Sequence, residues 1–217
     1  RDLQRWKADH WYGLLIMPKS ICPTIDNPDR GFTYKSEGPL DLRLNPEKGE
    51  SAAERLKNVT EDELEGMLVE NSDEPYAAEI AQLIMKKLRQ GEMIDTTTKL
   101  YETIEEALSF IPEKERKEAV KKSCQRTFQA LRIDVNSEFE VLYALMEKLP
   151  SALKSGGKVA ILTFHSGEDR IVKKAFKEWK KAGVYSEIAN DVIRPSAKEC
   201  VRNSRAKSTK MRWAIKA

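Results

Sequence analysis

The sequence predicts an α/β fold, a sheet with crossover helices that is interrupted by an inserted all-helical block. Two observations carry this reading. Lys158-Val159-Ala160-Ile161-Leu162-Thr163-Phe164 is a strand-length apolar run, with a long helical pattern before it and an amphipathic one after it. From Ser51 to about Lys122 the chain instead keeps helical spacing and shows no strand signal.

Taken in order, Gly13 to Met17 is a short apolar run stopped by Pro18 and reads as a buried strand. From Lys19 to Glu50 Pro, Gly, Asp and Arg dominate without a period, which predicts a long structured loop. In the helical block, Thr60 followed by Glu63 is a capping-box start, and Leu64, Met67 and Leu68 share one face. Residues 76–84 continue at helical spacing towards Gly91. Thr97 or Thr98 caps a third helix carrying Leu100, Ile104, Ala107 and Leu108, which Pro112 ends. Thr127 to Leu153 reads as one long helix, because Leu131, Val135, Phe139, Leu142, Leu145 and Leu149 recur at three and four. Ser155-Gly156-Gly157 turns into the strand at 158–164. Glu168 to Lys181 sets Ile171, Val172, Ala175, Phe176 and Trp179 on one helix face and stops at Gly183. Val184 to Ile188 and Met211 to Ile215 are the final strands.

The chain of 217 residues is long enough for one core carrying an inserted subdomain. Its 40% hydrophobic and 34% charged residues are those of a soluble globular protein, and no segment reaches the length of a membrane span. Three scattered cysteines and two histidines exclude a disulfide framework, and no metal site is expected. The net charge of +3 is too small to name a partner, so the placement of the basic residues decides. The amino terminus, with Leu3 and Trp6, has no signal-peptide core and reads as beginning within an element.

Four segments carry residues suited to chemistry. Asn27-Pro28-Asp29-Arg30-Gly31-Phe32, continuing to Gly38-Pro39-Leu40-Asp41-Leu42-Arg43, places arginines beside tight-turn glycines and an aromatic ring. Arginine suits phosphate and a ring stacks on an unpaired base, so Arg30, Phe32 and Arg43 are candidate RNA contacts. The competing reading pairs Arg30 with Asp29 and Arg43 with Asp41 as loop braces. Cys124 to Arg132 opens the long helix, where Gln129 and Arg132 sit near a positive helix end, unless these are ordinary solvated groups. Phe164-His165-Ser166-Gly167-Glu168-Asp169-Arg170 lies where a strand's carboxyl end becomes a helix, the place where ligands gather in open α/β sheets. There His165 positions a base or phosphate and Ser166 caps the helix; the plain alternative is a capped turn. Finally, Arg194, Lys198, Arg202, Arg205, Lys207, Lys210, Arg212 and Lys216 face a lone Glu199, a cationic stretch suited to a phosphate backbone.

Together these segments resemble the small-subunit ribosomal-RNA cytosine-N4 methyltransferases, the MraW or RsmH family. The matching stretches are those at 27–32 and 38–43, Thr127-Phe128-Gln129-Ala130-Leu131-Arg132 with Asn136, Phe164-His165-Ser166 with Glu168-Asp169-Arg170, and Ser204-Arg205-Ala206-Lys207-Ser208 leading to Lys210-Met211-Arg212. The resemblance runs from about residue 12 to the end. It implies a partial class I, Rossmann-like S-adenosylmethionine methyltransferase sheet, the half with strand order 4-5-7-6, in residues 1–50 and 123–217, with 51–122 as the inserted helical subdomain. It implies methyl transfer from S-adenosylmethionine to the exocyclic nitrogen of a decoding-region cytosine, with small-subunit rRNA bound by the residues named above, Phe128 and Asn136 included.

Two departures qualify that expectation. The family's glycine-rich turn and ribose-binding acid have no counterpart, and Met17 stands where the family has an aspartate, so no cofactor-binding residue is retained. The donor pocket is therefore expected outside this sequence, with a missing segment, a partner chain, self-association or a rearranged amino-terminal element using Leu3, Trp6, Trp11 and Tyr12 covering the edge of the strand at Gly13. The alternative function is a non-catalytic RNA-binding or ribosome-assembly protein derived from the same family. The bacterial cytoplasm is the expected location, with a plastid or mitochondrion as the alternative.

Overall fold

The computed structural model of the protein describes residues 13–16, 31 and 36–217. The readings made at Leu3, Trp6, Trp11, Tyr12, Met17, Arg30 and Phe32 lie outside these. In chain order the elements are β1 (Gly13–Ile16), α1 (Ala52–Asn58), α2 (Glu61–Ser72), α3 (Ala77–Arg89), α4 (Thr97–Ala107), α5 (Glu113–Val135), α6 (Glu138–Ala152), β2 (Lys158–Thr163), α7 (Ser166–Lys181), β3 (Tyr185–Ile188), α8 (Ala197–Arg202), a 3-10 turn (Ser204–Ser208) and β4 (Lys210–Lys216). No helix of the described residues is long and apolar enough to cross a membrane.

The chain forms two compact units, one of β1 with Phe139–Ala217 and one of Cys22–Glu138. In the first, four strands form one sheet in the order β1-β2-β4-β3. β1 runs parallel to β2, and β4 is antiparallel to both of its neighbours. β2 therefore pairs on both sides, which suits its nearly unbroken apolar sequence. Val159, Ile161 and Ala214 from the sheet join Leu142, Met146 and Leu149 of α6 and Ile171, Val172 and Phe176 of α7 in one buried cluster. Alternate strand residues reach this cluster, as the two-residue period requires.

The second unit is helical. Its core gathers Leu56, Leu64, Leu68, Ile80, Ile84, Leu100, Ile104, Val120, Phe128 and Leu131. Both of its first two helices begin in reciprocal capping boxes, Ser51 with Glu54 and Thr60 with Glu63. The cap of α4 is Thr96, one residue before the expected position, because the Thr97 hydroxyl accepts from the Gly38 N–H at 3.1 Å and donates to the Ser36 carbonyl at 2.8 Å.

Three expectations need correction. The predicted helix Thr127 to Leu153 is two helices, broken at Asn136-Ser137, where Ser137 has φ 48°. Its first part starts fourteen positions earlier than expected, at Glu113, so the compact helical unit extends to Glu138 rather than ending at Lys122. The reason is that α5 runs on unbroken, and its Val120, Cys124, Phe128 and Leu131 belong to the helical core. The segment 124–132 is therefore not a helix start, and its dipole argument for anion binding falls away. Lastly, His165 and not Ser166 caps α7; Ser166 is already helical.

Two outcomes follow from this packing. Gly31 has φ +69° and an added Cβ would lie 2.0 Å from the Pro39 carbonyl oxygen, so Gly31→Ala should lower stability by about 3 kcal/mol, read as an earlier urea midpoint. Cys124 is fully buried, and burial first, then the charges of Glu105 and Glu74, push its thiol up to about 12. Alkylation of Cys124 at pH 8 should be slower in the folded chain than after unfolding, by on the order of a thousandfold.

Candidate nucleic-acid interface

In the sheet unit the predicted segment 164–170 forms the turn after β2 and the first turn of α7. β2 ends at Thr163, and two residues later the His165 ring accepts from the Glu168 N–H at 3.4 Å. That contact caps the helix. The His165 ring also lies 5.8 Å from Phe139 between centroids. Gly167 is needed there: an added Cβ would lie 2.6 Å from the Phe139 ring.

The two first-turn acids both face inwards. Glu168 is 3% exposed and its carboxylate accepts from the Phe164 N–H at 2.7 Å. Asp169 receives a two-point fork from Arg212 of β4, with Nε to Oδ1 at 2.7 Å and a terminal nitrogen to Oδ2 at 3.1 Å. Lys210 Nζ lies 3.8 Å from the same carboxylate. Both acids sit at the amino end of α7, where the helix dipole favours negative charge. Asp169 and Arg212 are 9% and 8% exposed, so each ion is desolvated and tolerable only beside the other.

Of the remaining members, Lys216 is half-buried in β4 and the others described face solvent. Ser166 and Arg170 are exposed, as are Arg194, Lys198, Arg202 and Lys207 of the carboxyl-terminal stretch. Arg205 lies in the 3-10 turn, and its side chain is outside the described set. The paired backbone bridge between Ile193 and Met211 ties the start of this stretch to β4.

In the helical unit the predicted residues form braces. Asn136 donates to the Leu42 carbonyl at 2.8 Å and to Arg132 O at 2.7 Å, and accepts from Leu44 N–H at 2.7 Å. It thereby holds Leu42, a buried residue with φ 62° that a branched side chain adopts only under constraint. Arg132 forks onto Glu138 at 2.9 and 3.0 Å. Gln129 donates to the Asn71 carbonyl, and Asn71 donates to the Ala130 carbonyl, each at 3.2 Å. Arg43 pairs with Asp41 and donates to the Gly49 carbonyl at 2.8 Å. Phe128 is 6% exposed in the core. The partners Glu138 and Asn71 had no signal in the sequence; a fork needs a tertiary contact or a helix break to bring it together.

The arrangement divides chemically into a buried polar frame and an exposed cationic face. The frame orients backbone; the face carries exposed positive charge. Removing one side of the buried pair leaves an uncompensated ion. Asp169→Ala should therefore cost about 3–5 kcal/mol in chemical denaturation, and Arg212→Met a similar amount, whereas the double variant should recover part of the loss.

The profile of the MraW methylase family matches residues 20–217. The ribosomal RNA small subunit methyltransferase H 1 of Lachnoclostridium phytofermentans is 68% identical over 193 residues, which is 89% of this chain and 53% of that protein. The protein of the same name from Agathobacter rectalis is 66% identical over 193 residues, 89% of this chain and 55% of its own length. The ribosomal RNA small subunit methyltransferase H of Thioalkalivibrio sulfidiphilus is 37% identical over 217 residues, 93% of this chain and 67% of its own. The chain thus spans about half the length of the first two of these relatives.

Proposed function

The chain belongs to the MraW methylase family, and on that premise we propose that it is the RNA-facing part of a small-subunit rRNA methyltransferase that methylates the exocyclic N4 of a decoding-region cytosine from S-adenosylmethionine. The observation that carries this reading is the 68% identity over 193 residues to a protein named for that ribosomal subunit. The sheet order β1-β2-β4-β3, with its single antiparallel strand between β2 and β3, supports a class I, Rossmann-like half-sheet. The helical residues 51–122, which lie within the second compact unit, are proposed as the inserted subdomain. The bacterial relatives support a place in the bacterial cytoplasm.

The exposed members Ser166, Arg170 and Lys207, with Arg30, Phe32 and Arg205, are the proposed RNA contacts. Glu168, Asp169, Lys210 and Arg212 position the strand-to-helix turn that carries Ser166 and Arg170. Asn136, Arg132, Gln129, Phe128 and Arg43 set the loop at 38–44 and the end of α5. Methylation at an exocyclic amine needs the base turned out of its stack, which a surface of arginine and aromatic side chains favours.

The described residues do not fit the donor. Their paired glycines, Gly156 and Gly157, exchange backbone bonds with Lys216 of β4 and precede β2, rather than following its carboxyl end into a helix. At that carboxyl end the Phe164 N–H is already held by Glu168. No step through S-adenosylmethionine is assigned to these residues. The same observation favours the second reading, an RNA-binding or ribosome-assembly protein that does not turn over by itself.

Calorimetric titration with S-adenosylmethionine and a binding assay with small-subunit rRNA separate the two. RNA binding without donor binding is the outcome expected of the described residues. Donor binding at micromolar levels would instead favour a self-sufficient enzyme. Failure to bind RNA would remove both readings.

A further inference from the structure

Beyond Arg170, the outer face of α7 is a strongly charged surface that the site above does not use. Residues 170–181 hold six cations, Arg170, Lys173, Lys174, Lys177, Lys180 and Lys181, against one carboxylate, Glu178, while the entire chain carries only +3. All six are exposed. At about 100° per residue they fall within roughly 120° of the helix circumference, and they extend about 16 Å along its axis. Ile171, Val172 and Phe176 lie on the opposite, buried side.

This is not the ordinary mixed surface of a soluble helix. Such faces alternate signs and gain from pairs at three and four. Here the helix's two other acids are withdrawn from the surface, Glu168 to the Phe164 N–H and Asp169 to Arg212. Lys173, Lys174, Lys177 and Lys181 enter no ion pair among the described residues, and Lys180 donates to the Ser186 carbonyl. Like charges at helical spacing cost stability in isolation, and a stripe of them suits a polyanion that neutralises them.

We propose that the outer face of α7 is a second RNA-binding surface, which contacts the phosphate backbone of the substrate RNA without reading its bases. It rests on the proposed rRNA reading and adds to it an anchoring track that starts at Arg170 and leads away from the turn at 164–166. Phosphate contacts of this kind position a nucleic acid and set its affinity, while specificity stays with the turn.

The test is the salt dependence of binding by the full chain to a labelled single-stranded fragment of small-subunit rRNA, followed by anisotropy over a KCl series. Each phosphate neutralised contributes about −0.7 to the slope of log K against log salt. The variant Lys173→Gln, Lys174→Gln, Lys177→Gln, Lys181→Gln should have a slope shallower by about 2–3, and the matching Lys→Arg variant should keep the wild-type slope. A wild-type slope in the Gln variant overturns the stripe and leaves the rRNA reading standing. Absence of RNA binding by the wild-type chain overturns both. If the Gln variant loses its helical circular dichroism, amine acetylation of the wild-type chain decides instead. Protection of these four lysines by RNA supports the track; equal labelling with and without RNA, or protection by anionic vesicles alone, overturns it.

Discussion

The forked contact between Asp169 and Arg212 is the constraint on which the sheet unit depends. It joins the first turn of α7 to β4, two elements 43 residues apart in sequence. Both ions are nearly out of water, so the pair has little freedom to be half-formed: either the strand and the helix are in register or two charges are stranded. Because Arg212 lies opposite Ile161 across the β2–β4 ladder, the same contact fixes the face on which α7 lies and the point from which the turn at 164–166 emerges. The frame places the turn that carries the exposed Ser166 and Arg170.

The helical unit uses the same strategy with neutral groups. Asn136 reaches back more than ninety positions to hold the backbone on either side of Arg43, and this clamp stabilises a left-handed Leu42 that would be costly in a free loop. Side chains that look suited to ligands, amides and guanidinium groups above all, thus act here on backbone carbonyls and carboxylates. The proposed RNA contacts lie at the rim of these frames instead. In the sheet unit that rim is cationic, which agrees with the ribosomal-RNA relatives that the family match supplies.

Much of this was legible in the sequence where local periodicity and tertiary structure agree. β2 and α7 stand close to their predicted bounds because their apolar patterns report burial directly. The break between α5 and α6 was hidden because the spacing from Leu131 to Leu149 continues through it; what decides it is Ser137 in the left-handed region together with the distant partners of Asn136. The start of α5 was missed since residues 113–119 are mostly Glu and Lys, with no apolar stripe to mark a helix. In the site the residue types were legible and their roles were not. Arg43 has the carboxylate partner its neighbour Asp41 suggested, whereas Arg212 and Arg132 have partners that only folding brings near.

The central claim is that one unit presents exposed cations to RNA while its buried ions hold the frame. Ultraviolet crosslinking of the full chain to small-subunit rRNA, with the crosslinked peptides identified by mass spectrometry, measures this directly. Crosslinks are expected on exposed positions of α7 and of the stretch from Arg194 to Lys207. Crosslinks confined to α1–α5, with none in 139–217, would contradict it.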